Sequence, residues 1–420
     1  MISFWRIFWL EFAGFVRSKA LALLVAASVL WMFGLPFVMK GDGTADGARE
    51  LYIHYSLGGV FTLLVIALLA SATGSLARER EAKRLQLTLI RPVRYTLIVL
   101  GKILAHIAVG ALVLAIACAV LAIRTDLGRA CSHVLSPVLP SPREEAKAMY
   151  ESYMKDPDTP EQVKRTKKEI VLRLLENRAV DRYETIQTNT TATWKFPVET
   201  LSGEDLKVRM RFTNQYEMRQ DVRGMFAFGA YRGIVSNITQ AVVTVPLTAK
   251  AEDEGRETGE LAFENKGTSA LMLRPRKDIN LLVPADAFGW NLLRTFVVLV
   301  AILAFVVSLG VFLSAGLGRP VAMFVAFVTL IVSEMSPSVV EQYPDELETK
   351  LVDRIGLHIT RFVTEATRPV SSAAPLDALA KDECVELKTV LRLAAIDFLV
   401  VPLLLALLSA LLLPRKQEGC

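Results

Sequence analysis

Residues 78–102 read REREAKRLQLTLIRPVRYTLIVLGK and stand between two long apolar runs. The loop 77–94 collects Arg78, Arg80, Lys83, Arg84, Arg91 and Arg94 against only Glu79 and Glu81. The apolar runs that flank it lie near 53–76 and 97–123. At about 1.5 Å per helical residue, each is long enough to cross roughly 30 Å of hydrocarbon. Lys and Arg in short loops are retained in the cytoplasm, so this loop fixes which way the two spans run.

The rest of the chain is just as apolar. Apolar residues make up 52% of 420 and the mean hydropathy is +0.39, too much oil for an ordinary soluble domain. Further apolar runs near 20–39, 290–316, 320–335 and 393–413 bring the total to six spans. The run 320–335 is short and ends at Glu334. After the reversal Gly316-Leu317-Gly318-Arg319-Pro320 it is either a full crossing or half of a tight helical pair with 290–316. The expected fold class is an α-helical polytopic membrane protein, with about six transmembrane helices and an inserted α+β extracytoplasmic domain.

With six crossings both termini are cytoplasmic. Arg6, Arg17 and Lys19, then Arg319, then Arg415 and Lys416 fall on the same side as loop 77–94. The segment 336–390, with ten acidic residues against six basic, falls outside, as does the loop around Asp42, Asp46 and Glu50. The net charge of +5 is therefore a topological signal, and no nucleic-acid partner is expected. Residues 1–18 read as an amphipathic helix lying in the cytoplasmic interface. Phe4, Trp5, Phe8, Trp9, Phe12, Phe15 and Val16 gather on one side of it, and Ser3, Arg6, Glu11 and Arg17 on the other. A cleaved signal sequence would need a charged n-region, a short apolar core and a small-residue cleavage site, which this stretch lacks.

Four regions follow: the interfacial helix 1–18, spans one to three in 19–124, an extracytoplasmic domain 125–289, and spans four to six in 290–420. The outer domain begins with a helical hairpin. Ser141-Pro142-Arg143-Glu144 is a capping box with proline at the first helical position, and Thr159-Pro160-Glu161-Gln162 repeats it after Asp156-Pro157-Asp158. The second helix sets Val163, Ile170, Val171, Leu174 and Leu175 on one stripe. Val208, Met210 and Phe212 alternate with Arg209 and Arg211, Val242 to Val245 is β-branched, and Leu261 and Phe263 precede the turn Asn265-Lys266-Gly267. Short strands of this kind predict a small sandwich, whose final strand from Ile279 to Val283 runs almost directly into span four.

Catalytic and cofactor motifs are missing. There is no Gly-x-x-x-x-Gly-Lys-Ser/Thr, so the chain is not expected to be an ATPase or to bind a cofactor itself. His54, His106, His133 and His358 are scattered, without a metal-ligand spacing. Neither a nucleophile elbow nor a zinc-protease motif occurs.

Against that background the loop after span two resembles the membrane subunits of type 2 ABC exporters. These typically carry Glu-Arg-Glu-x-Gly-Thr-Leu-Glu-x-Leu-Leu-x-x-Pro at this place, followed by a Gly-Lys pair. Here Glu79-Arg80-Glu81 stand in register with Leu85, Leu89, Pro92 and Gly101-Lys102, while Lys83-Arg84 replace the Gly-Thr and Gln86 the following Glu. The N-terminal interfacial helix and the six spans extend the likeness. Residues 125–289 do not, being much larger than the usual outer connection. That insertion is similar to the branch linked to maturation of multi-copper enzymes, although Cys, His and Met clusters are missing.

The resemblance implies a permease subunit in a bacterial inner membrane. It would work as a homodimer or related heterodimer over two ATP-binding subunits that hold the ATP. Residues 78–94 would form a short helix seated in a groove on each ATPase, with Arg78, Glu79, Arg80 and Glu81 as docking contacts. Pro92 would end that helix and Lys102 would snorkel to the inner interface. The competing expectation is a membrane-anchored sensor or assembly protein with a ligand-binding outer domain, and a membrane enzyme with its site in that domain is a third.

Charges inside the spans form a second set of candidates. Arg294 and Asp397 lie about one turn inside spans four and six, with Glu334 at the end of span five. Either Arg294 pairs with Asp397 or Glu334, or these groups snorkel to the interface. His106 reads as a packing or hydrogen-bonding residue rather than a proton relay, and Pro402 predicts a kink in span six. Cys118 is membrane-embedded, whereas Cys131 and Cys384 both fall outside, where an oxidising compartment can join them. The sequons at Asn189 and Asn237 also face outward.

Overall fold

The computed structural model describes residues 2–39, 45–82, 94–157, 166, 168–197, 206–213, 220–239, 242–249, 259–342 and 374–415. The chain divides into two compact units, a helical one from Met1–Ala130 with Asp286–Cys420 and a β-rich one from Cys131–Ala285. The helical unit opens with α1 (Ile2–Val16), α2 (Lys19–Val38), α3 (Ala45–Glu81) and α4 (Tyr95–Arg124). Ser18 separates α1 from α2, and its Oγ caps α2 by accepting from the Leu21 amide at 3.2 Å. On α2, Leu23, Leu30 and Phe37 point outward, as a lipid-facing helix requires.

Helix α3 is longer than its apolar run. The expected span 53–76 sits inside 37 helical residues, because the flanking Ala, Arg and Glu are good helix formers that continue the ladder into polar surroundings. Two expectations change with it. Asp46 and Glu50 belong to the first turns of α3 rather than to a loop, with Asp42 outside the described residues, and Arg78 to Glu81 are the last turn of α3 rather than part of a separate short helix.

In the β-rich unit, β1 (Ala130–Leu135) precedes the helical pair α5 (Pro142–Lys155) and α6 (Lys168–Val180). The capping box at Ser141 forms as read. Its Oγ accepts from the Glu144 amide at 3.2 Å, and the Glu144 carboxylate accepts from the Ser141 amide at 3.0 Å. That backbone donor holds the Glu144 carboxyl below its ordinary range. Val171 and Leu175 pack against Ala146, Met149 and Tyr150, while Leu174, expected on the same stripe, is 65% exposed. The second capping motif, 159–162, and Val163 lie outside the described residues.

The strands are β2 (Glu184–Ile186), β3 (Thr191–Lys195), β4 (Leu206–Arg211), β5 (Asp221–Phe228), β6 (Tyr231–Ile238), β7 (Val242–Ala249), β8 (Glu260–Asn265), β9 (Leu271–Leu273) and β10 (Ile279–Ala287). Seven of them form one sheet with β1, in the order β1-β10-β4-β7-β6-β5-β8-β3, and β2 pairs with β9. This differs from two separate sheets. β7 pairs with β4 from Val242 to Leu247 and with β6 only at Thr248 and Ala249, so a single strand hands one half of the sheet to the other. The core of a sandwich nonetheless results, with Phe212 of the first half 4.8 Å from Phe263 of the second. Asn265 is fully buried and turns the chain as expected, its Oδ1 accepting from the Gly267 amide at 3.0 Å.

After β10 the helical unit resumes without an intervening residue at α7 (Phe288–Gly316), followed by α8 (Arg319–Gln342), α9 (Pro375–Ala380), α10 (Leu387–Leu393), a π-helical turn at Ala394–Val400 and α11 (Val401–Arg415). α7 is apolar on every side and packs against α3, α4 and α11, the position such a helix must take. Among the described residues five helices are long and apolar enough to cross a membrane: Lys19–Val38, Gly47–Glu81, Tyr95–Arg124, Phe288–Gly316 and Leu387–Leu412. The expected fifth run survives as a shorter apolar stretch, Arg319–Val332. In the last span the π-helical turn sits immediately before Pro402, which lacks the amide an unbroken ladder would need.

Candidate coupling site

The last turn of α3 is tied to three other helices. Lys102 of α4 is only 3% exposed, and its ammonium donates to the Glu79 carboxylate at 2.7 Å and to the Glu11 carboxylate of α1. Lys102 therefore does not snorkel. Two carboxylates from neighbouring helices converge on it, and a buried ammonium keeps its charge only with such partners. The preceding Gly101 lets α1 and α4 approach closely, since a Cβ there would stand 3.0 Å from the Ile7 side chain, which would have to shift. Thus the Gly-Lys pair has two separable parts, a close approach and a charge.

One turn further along α4, His106 is buried. Its Nδ1 lies 2.8 Å from the Lys102 carbonyl, which can only accept, so Nδ1 carries the proton. Nε2 faces the Ser71 hydroxyl of α3 at 3.3 Å, and the ring packs edge-on against Phe15 of α1 at 4.6 Å. His106 thus meets α3 through one ring nitrogen and its own helix through the other.

Arg80 reaches in another direction. Its two terminal nitrogens donate to the Ala315 and Leu317 carbonyls, both at 2.9 Å, and so close the C-terminal end of α7 where helix carbonyls lack partners. Arg78 folds back so that its Nε donates to the Gly74 carbonyl at 3.1 Å. Of the four residues read as docking contacts, Glu79 and Arg80 are occupied inside the unit, and Arg78 and Glu81 are exposed. Pro92, together with Leu85, Gln86 and Leu89, lies outside the described residues.

The remaining charges of the later helices are arranged as follows. Arg294 pairs with Asp286 at 2.6 Å and lies 3.4 Å from the Val385 carbonyl, not with Asp397, because the end of β10 brings a nearer carboxylate. The side chain of Glu334 lies outside the described residues. Asp397 sits in the π-helical turn, fully buried, and neither of its oxygens has a hydrogen-bond partner among the described residues. Asn291 clasps the neighbouring segment, its Nδ2 donating to the Glu383 carbonyl at 2.7 Å and its Oδ1 accepting from the Val385 amide at 2.8 Å. Cys131 is buried in β1, Cys384 is half-buried and Cys118 is a free thiol.

The sequence reading missed Glu11 and Ser71. Glu11 was placed with the polar side of α1, yet it turns toward α4. The signal was there: it is the single acid in α1, and Lys102 is the single cation inside the apolar part of α4. Among the described residues no group of three or more His, Cys, Asp or Glu side chains is placed to hold a metal ion.

Five crossing-length helices and charges buried between them define an integral membrane protein. Over residues 7–135, which run from within α1 through α4 and include Glu11, Glu79 and Lys102, the chain matches the family model described as ABC-2 family transporter protein. No curated protein and no solved structure matches the chain.

Proposed function

We propose that this chain is the permease subunit of an ABC transporter and that it exports its substrate with energy from a separate ATP-binding subunit. A second membrane subunit pairs with it in a bacterial plasma membrane. Both termini and loop 77–94 face the cytoplasm, and the β-rich unit lies outside. The family match over residues 7–135 supports this reading, as does the sequence register of Glu79-Arg80-Glu81 with Gly101-Lys102.

One observation carries the mechanism. The final turn of α3 is joined to α1 and α4 through Lys102 and to the end of α7 through Arg80. A push delivered just beyond Glu81 is therefore shared by four helices at once. ATP can bias the bundle between inward- and outward-facing states only by binding one more tightly than the other, and this junction is where the bias enters.

Affinity purification of the tagged full chain tests it. An ATP-binding protein encoded beside this chain should co-purify with it, and Arg78→Ala with Glu81→Ala should weaken the association. Association that is unchanged by the pair rejects their docking role. The β-rich unit of Cys131–Ala285 supports a second reading, a membrane-anchored sensor or assembly protein, which predicts no ATP-binding partner at all.

A further inference from the structure

Between α1, α2, α3 and α4 lies a cavity of about 540 Å³, next to the ion cluster and not consumed by it. Its polar lining is Arg78, Arg319 and Ser75 together with the Glu11, Glu79 and Lys102 of the cluster itself, and its apolar walls include Leu21, Leu24, Leu68 and Val109. Arg78 is held toward this space. Its Nε is bound to the Gly74 carbonyl, and a Cβ at position 74 would come within 2.7 Å of its guanidinium, so glycine is what lets the arginine lie back along α3. The terminal nitrogens of Arg78 and the whole Arg319 guanidinium have no partner among the described residues. The Ser75 hydroxyl is buried and also unpartnered. Lys102 is already engaged by Glu11 and Glu79, so the two arginines are the cations left for a ligand.

A second, wholly apolar groove continues from the first. Leu21 is shared by both, and Val25, Val29 and Leu30 carry the groove along α2, a helix whose outward residues are suited to hydrocarbon. The Arg78 terminal nitrogens, the Arg319 guanidinium and the buried Ser75 hydroxyl of the cavity lining, with the adjoining groove of Leu and Val, match a molecule with an anionic head and a long alkyl chain. We propose that this cavity binds an acidic phospholipid, its phosphate on Arg78, Arg319 and Ser75 and one acyl chain lying along Leu21, Val25 and Val29. A planar guanidinium pair suits a phosphate better than a zwitterionic headgroup, whose own cation would oppose it. The site requires no ATP-binding partner, and Arg319, unlike Arg78, is not among the proposed docking contacts, so the Arg319 arm keeps its test separate from that of the transport reading.

Native mass spectrometry of the delipidated full chain decides it. The chain would be incubated with dioleoyl phosphatidylglycerol, dioleoyl phosphatidylcholine or glycerol 3-phosphate. The expected result is one retained phosphatidylglycerol, favoured over phosphatidylcholine by about tenfold, the size of one good charge-assisted contact. Arg78→Gln with Arg319→Gln should abolish the preference, whereas Arg6→Gln, an exposed charge on α1 outside the cavity, should keep it. Equal retention of both lipids, or a preference untouched by the double substitution, overturns the proposal. Glycerol 3-phosphate displacing the lipid completely at matched concentration also overturns it, by assigning the arginines to a free anion. If the double variant fails to fold, Arg319→Gln alone and the parent's lipid preference still decide.

Discussion

Glu79 and Lys102 meet at 2.7 Å across the interface of α3 and α4, and Glu11 reaches the same ammonium from α1. In the sequence the first two belong to one motif and the third belongs to none. Their convergence turns a stretch that reads as a docking handle into a joint between helices.

Removing the cation should cost more than removing the joint. Lys102→Met leaves two half-buried carboxylates facing each other, a loss of about 3–5 kcal/mol for breaking one side of a buried ion pair. The triple variant Lys102→Met, Glu11→Gln, Glu79→Gln should recover most of the thermal stability in detergent. On the transport reading proposed above, ATP-driven work should stay lost in it, because the charge link between α1, α3 and α4 is gone. A triple variant as unstable as the single one would show that the charges are not what holds these helices.

Gly101→Val tests the close approach by itself. With Ile7 already 3.0 Å from where a Cβ would stand, the larger side chain should lift α1 from α4 while Lys102 itself is unaltered. The fluorescence of Trp5 and Trp9 on α1 should shift, and Glu11 should no longer protect Lys102 from amine labelling. Unchanged spectra and labelling would refute the packing role given to this glycine.

Arg80→Lys should behave almost as badly as Arg80→Ala. The arginine fork serves the Ala315 and Leu317 carbonyls together, which one ammonium cannot reproduce in the same plane. Each stranded carbonyl costs about 1–3 kcal/mol. Thermal unfolding of the two variants side by side gives the answer, and full rescue by lysine would argue against the bidentate clasp.

Acid should loosen the β-rich unit in a defined way. The Lys277 hydrogen bond holds the Asp181 carboxyl below its ordinary 3.8, with Lys277 and Arg274 adding attraction. A folded value below the unfolded one stabilises above the unfolded value and is lost as pH falls through the folded value. The effect is small, because Asp181 is 56% exposed and screened by water. Hydrogen-exchange protection around α6 and β9, corrected for the intrinsic rate at each pH, should fall slightly as pH drops through the carboxylate range in the parent, and Asp181→Asn should show that small loss at neutral pH already.

Two expectations concern the outside. A cysteine at Ala82→Cys should react with an impermeant thiol reagent only from the cytoplasmic face, and labelling from the exterior would reverse the whole topology. A bridge joining Cys131 and Cys384 should give the parent a faster mobility on non-reducing electrophoresis than Cys131→Ser. Identical mobility would remove the bridge.

Much of this molecule was legible before any coordinates. Apolar runs near 20–39, 97–123 and 290–316 became helices Lys19–Val38, Tyr95–Arg124 and Phe288–Gly316 within a few residues. Hydrocarbon thickness and backbone hydrogen bonding leave a membrane segment almost no other choice. The capping box at Ser141 and the turn at Asn265 were equally readable, since their partners lie within four residues.

Local and solvent-driven physics dictates the apolar helices, the Ser141 cap, the strands and the charge bias of loop 77–94, and these are written in the chain itself. Tertiary structure alone decided the partners. Glu11 and Lys102 are 91 positions apart, and Arg80 and Leu317 are 237 apart. Arg294 chose Asp286 over the buried Asp397, and β7 joined what read as two sheets into one. Residue type marks a charge as needing a partner when buried. Which partner it finds depends on how the helices are rotated and stacked, and that is fixed by the packing of the whole bundle rather than by any short stretch of chain.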